Sequence, residues 1–269
     1  MTTQEEIDNE NEELEQIKKG NLPLSRLAPN IVTLLALCFG LTSIKVALVG
    51  KWELAISCVI ISCFLDGIDG RLARFLGATS KFGAQLDSLS DFVNFGVCPA
   101  LIMFLWSLKD IPNKAIGWGA VLFYSICCAI RLARFNVDLE EDEDEATKKK
   151  YQMFFVGLPS PTAAIITLVP IMLYIEYEYL TKPLANVVLL IIVGFLMSSR
   201  IPTFSGKKIT IHRKIASIVM VLLGFIIGMI ILEPWTTLPL LALAYLISIP
   251  LSIYVYYKMQ PKKEEIISE

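Results

Sequence analysis

Long apolar runs alternate with short polar breaks along this chain. Apolar stretches fall near residues 31–50, 52–66, 92–108, 116–134, 160–176, 184–198, 215–233 and 238–257. A helix needs about 20 predominantly apolar residues to cross the hydrocarbon core of a bilayer. The pattern therefore predicts an all-α, polytopic membrane bundle of about eight transmembrane helices. The second run is short for a crossing, so its helix is expected to continue through Asp66 and Asp69 at its polar end. The third run is expected to begin where Asp91 ends. Pro161, Pro170 and Pro250 lie in or beside the runs, where neighbouring helices compensate a lost backbone bond.

Composition agrees with this pattern. The chain is 55% hydrophobic with a mean hydropathy of +0.60, whereas soluble domains are about 45–50% apolar. The net charge of −2 points to no class of partner. Residues 1–22 are polar and acidic. They read as disordered or as a frayed surface helix, and they are the opposite of a signal peptide. The acidic block from Glu140 to Glu145 and Lys148, Lys149 and Lys150 read as a solvated loop. Cys38, Cys58, Cys63, Cys98, Cys127 and Cys128 all sit inside apolar runs without metal-ligand spacing, so they read as small buried hydrophobes. His212, the one histidine, lies among Lys207, Lys208, Arg213 and Lys214. That setting reads as surface and argues against histidine chemistry.

Charge also predicts orientation. If the N-terminus is cytoplasmic, most Lys and Arg fall on inner segments. Only Lys51, Lys109, Lys114 and Lys182 fall outside, with Lys45 inside a run. Trp52, Trp106, Trp118 and Trp235 then all map to outer helix ends, as an aromatic belt requires.

The densest chemistry lies between Asp66 and Asp91. Asp66 and Asp69 are three residues apart, and Asp87 and Asp91 are four apart. Such pairs share a helical face. Two acidic faces joined by a looser Gly-Ala-Thr-Ser-Lys-Phe-Gly segment would repel each other unless cations intervene. Hard divalent ions prefer carboxylate oxygens and share them with phosphates. Gly67, Gly70, Ala73 and Gly83 leave room for a ligand to approach the backbone, and Arg74 offers a guanidinium that suits phosphate. Two roles are open to Asn30 and Thr33, one turn apart: local satisfaction of a helix start, or a view toward the acids.

These residues resemble the signature of the CDP-alcohol phosphatidyltransferase family. The match runs Asp66-x-x-Asp69-Gly70-x-x-Ala73-Arg74, then Gly83, Asp87 and Asp91 at the family's spacing. Pro29-Asn30-x-x-Thr33 resembles the family's first-helix motif near its nucleotide site. The resemblance implies a catalytic core over residues 28–165. It is preceded by a polar segment (1–27) and followed by additional helices (166–258) and a polar tail (259–269). It implies two divalent ions, Mg²⁺ or Mn²⁺, with Asp66, Asp69 and Asp87 as ligands. Asp91 would be the general base and could share a metal. It implies CDP-diacylglycerol contacts from Asn30, Thr33, Gly70, Ala73, Arg74, Ser80 and Gly83. A homodimer is implied as well.

The acceptor alcohol is a finer question. The run Lys81 to Ala100, Arg131-Leu-Ala-Arg134-Phe-Asn136 and Phe155 to Ala164 resemble the integral-membrane phosphatidylserine synthase branch. That implies attack by L-serine, with release of CMP, in a multi-pass membrane protein whose site faces the cytoplasm; in a bacterium the membrane is the inner one. Arg131 and Arg134 are candidates for the serine carboxylate, or else plain inner-end anchors. Asn94 could orient the acceptor, or make a helix–helix hydrogen bond. Glycerol phosphate or inositol phosphate remains an alternative acceptor, with Arg200 as a further basic residue. A cation or metabolite transporter is a remote alternative, since no internal repeat is visible and the acids cluster at one interface.

Overall fold

The computed structural model describes residues 24–140, 154–204 and 213–259. The acidic N-terminal segment, the blocks between 141 and 150, Lys207, Lys208, His212 and the tail beyond Met259 lie outside the described residues. So do the expectations placed on them.

Helix α1 spans Leu24–Leu48 and α2 spans Trp52–Phe75. The next rod is compound. It comprises α3 (Lys81–Asp91), a π-helical turn (Phe92–Val97) and α4 (Cys98–Trp106). Helix α5 covers Lys114–Glu140, α6 Ser160–Tyr177, α7 Pro183–Ser198, α8 Arg213–Leu232 and α9 Pro234–Met259. Among the described residues, five segments are long and apolar enough to cross a membrane: Leu27–Leu48, Lys81–Trp106, Lys114–Val137, Ser160–Tyr177 and Pro234–Tyr256. The protein is therefore an all-α, multi-pass membrane bundle. Helices α7 and α8 are apolar but shorter. Helix α2 carries Asp66, Asp69, Arg71 and Arg74 in its final turns.

Several boundaries differ from the hydropathy pattern, each for a physical reason. Helix α1 begins at Leu24, ahead of Pro29, which sits buried inside it. The Pro29 carbonyl accepts the Thr33 hydroxyl (3.2 Å). Asp87 and Asp91 do not precede the third span but lie within its N-terminal half. Helix α5 runs to Glu140, past the apolar stretch, because no Gly or Pro interrupts Arg131–Glu140. The first of the acidic block is thus helical.

Packing follows small residues. Helix α1 lies along α2 and against the compound rod, α5 packs on α7, and α9 packs on α6. A Cβ at Gly40 on α1 would overlap Asn94 Oδ1 on the π turn, and one at Gly96 would meet Cys128 Sγ on α5 at 2.9 Å. Missing side chains let helix backbones approach closely in a bilayer, where apolar burial gives little drive. Cys58, Cys98, Cys127 and Cys128 are buried, whereas Cys63 is half-buried and Cys38 exposed; all six are free thiols. At the end remote from the acids, Trp106 tilts against Tyr174 and Trp118 stands edge-on to Phe104.

One feature escapes the helical pattern. Strand β1 (Phe154–Val156) pairs antiparallel with β2 (Pro202–Phe204), with Phe155 opposite Thr203. The ribbon joins the approach to α6 with the exit from α7. Gly157 makes its turn at φ +78°; a Cβ there would press on Met197 O at 2.7 Å. Its N–H donates to Ile201 O (2.8 Å) and its carbonyl accepts from Thr203 (2.9 Å).

Candidate active site

Helix α2 stays helical through its charged end and stops at Gly77, whose φ of +59° suits a residue without a Cβ. Ala78 N–H closes the end on Ala73 O (2.8 Å). The expected looser segment is therefore only a brief turn. Ser80 caps the next helix by accepting from Gly83 N–H (3.0 Å). Helix α3 then packs against α1.

This turn brings the acids of the two helices together. One carboxylate oxygen each from Asp66, Asp69 and Asp87 lie within 4.8 Å of one another. Asp91 follows Asp87 by one turn on the same face of α3, close enough to Asp66 for the two charges to interact. Asp91 Oδ1 is buried and has no hydrogen-bond partner among the described residues. A buried carboxylate oxygen without a donor is costly, and a cation would satisfy it. Three convergent hard oxygens plus one orphaned neighbour fit a divalent ion of the Mg²⁺ or Mn²⁺ kind.

The surrounding groups hold this cluster in place. Thr33 on α1 donates to Asp69 Oδ2 (2.6 Å), and Gly70 N–H donates to Asp69 Oδ1 (2.6 Å). Asp69 is only 4% exposed, so these two bonds fix its orientation. Of the two roles open to Thr33, the structure shows both: its hydroxyl also reaches its own helix. Asn30 Oδ1 stands where a Cβ on Gly83 would meet it at 3.0 Å, which puts α1 over the start of α3. By contrast a Cβ at Gly67 or Gly70 would meet nothing within 4 Å. The backbone there is open to a ligand. Ala73 is half-buried and Arg74 exposed, with Arg74 Nε on Gly70 O (3.1 Å). Phe64, Phe75, Phe82 and Leu89 are exposed apolar side chains on the same two helices.

The acceptor candidates separate. Arg131 on α5 is near enough for its charge to act on Asp91. Its Nη1 donates to Ser160 Oγ (2.6 Å), and its Nε is buried without a partner. Arg134, one turn on, is exposed and donates to Ser198 O (2.6 Å) at the end of α7. Arg200 is exposed between α7 and β2. Asn94 is fully buried against α1, with Nδ2 on Ser90 Oγ (3.0 Å) and Ser90 within reach of Thr33 O (3.4 Å).

Two contributors went unassigned in the sequence. Ser160, at the head of α6, holds Arg131; its only signal was the Pro-Ser-Pro start of that helix. Asn136 accepts from Ser88 Oγ (2.9 Å) and ties α5 to α3. Nothing in their spacing revealed that pairing.

Comparison with known proteins agrees with the geometry. The family model described as CDP-alcohol phosphatidyltransferase matches residues 26–198, and CDP-alcohol phosphatidyltransferase 2 matches 214–250. A CDP-diacylglycerol–serine O-phosphatidyltransferase of Mycobacterium leprae is 35% identical over 231 residues, 85% of this chain and 75% of that protein. One of the same name from Helicobacter pylori is 34% identical over 202 residues, 74% of this chain and 81% of its own length. Another from Bacillus subtilis is 33% identical over 137 residues, 51% and 71% respectively. With four signature aspartates gathered at one helix junction and the family model covering most of the described chain, this protein belongs to the CDP-alcohol phosphatidyltransferase family.

Proposed function

We propose that the chain transfers a phosphatidyl group from CDP-diacylglycerol to the hydroxyl of L-serine, forming phosphatidylserine and releasing CMP. The observation that carries this is the convergence of Asp66, Asp69 and Asp87 beside a buried, partnerless Asp91 oxygen. The relatives' shared activity supports serine as the acceptor.

Asp66, Asp69 and Asp87 would hold two divalent ions, with Asp91 sharing one; when bound, such ions neutralise a diphosphate and stabilise CMP as a leaving group. Asp91 takes the proton from the serine hydroxyl as its oxygen attacks the phosphorus that bears diacylglycerol. The bond from that phosphorus to the CMP oxygen breaks, and CMP carries the electron pair away. Arg74 and the open backbone at Gly70 receive the diphosphate, and Asn30, Thr33, Ala73, Ser80 and Gly83 bound the nucleotide. Arg131 receives the serine carboxylate, held ready by Ser160. Asn94 supports this arrangement from the α1 interface, and Arg134 braces α7. The lipid tails stay in the bilayer, alongside the exposed apolar side chains of the two acid-bearing helices.

In the same reading all eight rods cross the membrane, the acids face the cytoplasm, and the protein works as a homodimer. Lys and Arg cluster at the acid-bearing end, which supports that orientation.

The test is an acceptor panel on purified protein. With CDP-diacylglycerol and Mg²⁺ or Mn²⁺, labelled serine should yield phosphatidylserine and stoichiometric CMP, and chelation should stop both. Preference for glycerol phosphate or inositol phosphate would replace serine as the acceptor. Metal-dependent ion flux without CMP would overturn the reaction itself.

A further inference from the structure

We infer that Tyr124 and Ser125 are positioning residues for Asp87 and Asp91, acting through the π turn that follows them. The rod changes its winding immediately after Asp91. Over Phe92–Val97 it widens, and Cys98 N–H donates to Val93 O, five residues back. Such turns often occur at functional sites because they insert one residue and re-aim what lies on either side. One inserted residue rotates the helix by about 100°. That rotation lets Asp87 and Asp91 face the acids of α2, while Phe95, Ile102 and Met103 farther along fill the core.

The cause is in the sequence. Pro99 has no N–H, so the Phe95 carbonyl, four residues earlier, lacks the donor that an α-helix would supply. Helix α5 supplies one instead. Tyr124 Oη donates to Phe95 O (2.9 Å), and Ser125 Oγ donates to Gly96 O (2.9 Å). Tyr124 is fully buried, so its bond is shielded from competing water. Gly96 carries no Cβ, which lets α5 come close enough for both bonds. Two adjacent hydroxyls on one helix thus hold two adjacent carbonyls of the turn. The carboxylates upstream depend on its shape.

The kinetic arm of the test rests on the proposed reaction, whereas the binding arm does not. Mn²⁺ affinity is measured by calorimetry on the purified full chain without substrates, and steady-state kinetics are measured with serine. Tyr124→Phe should lower both Mn²⁺ affinity and kcat about tenfold, with KM for serine and CDP-diacylglycerol within about twofold of wild type. Pro99→Ala returns an N–H beneath the Phe95 carbonyl and so removes the stated cause of the turn; it should lower both quantities in the same direction. A tyrosine that merely filled space would depress thermal stability without this split. Wild-type Mn²⁺ affinity in Tyr124→Phe overturns the inference. If that variant does not fold, Ser125→Ala is measured in the same way, and unchanged affinity there overturns it equally. A wild-type protein that fails to turn over serine refutes the reaction, and the Mn²⁺ arm then still decides the role of Tyr124.

Discussion

At the scale of single residues, the site divides into groups that are held and groups that are left free. Asp69 is held by two short bonds, whereas Asp91 keeps a buried oxygen with no partner. That freedom suits a base that must accept a proton. Asp91→Asn should abolish CMP release while CDP-diacylglycerol still binds; a variant retaining more than about a hundredth of wild-type kcat would remove Asp91 from the base role. The two arginines should also part. Arg131→Lys loses a planar fork and should raise KM for serine about tenfold, with KM for CDP-diacylglycerol unchanged. Arg134→Lys, whose partner is the α7 carbonyl, should leave both constants unchanged, and equal effects from the two would refute the assignment. Much of this was legible in the sequence, because carboxylates at three- and four-residue spacing declare a shared face. What was not legible is which hydroxyl meets which acid. The Thr33–Asp69 bond joins residues 36 apart in the chain, and no local pattern encodes that.

At the scale of elements, hydropathy located every rod but misjudged several ends. It reads transfer free energy, and helices continue past the apolar stretch wherever nothing stops them. Helix α2 continues through its acids to Phe75, as its short apolar run led one to expect, whereas α5 runs past its apolar stretch to Glu140. The ribbon was hidden because three-residue strands carry no periodicity, and the π turn was hidden because one widened turn leaves no mark on hydropathy. Close packing was foreshadowed only by scattered glycines. Gly40→Ala should test it: its methyl would collide with Asn94, which is fully buried and cannot swing away. Overpacking of this kind costs about 1–3 kcal/mol, visible as a lower unfolding midpoint in detergent. Gly119→Ala, where a Cβ meets nothing within 4 Å, should leave the midpoint unchanged.

At the scale of the whole molecule, the acids sit at one end of the bundle and the tryptophans at the other. Trp52 opens α2 and Trp106 closes α4, each at the far end of its rod from the aspartates. A cysteine replacing Lys51 should therefore react with an impermeant maleimide added outside sealed cells. One replacing Lys81 should react only after permeabilisation; the reverse pattern would invert the proposed orientation. The exposed Phe64, Phe75, Phe82 and Leu89 on the two acid-bearing helices have a kinetic corollary. A substrate that slides in sideways from its leaflet is counted per unit of area. Turnover then tracks its mole fraction among neighbouring lipids and is indifferent to how far the vesicles are diluted in buffer.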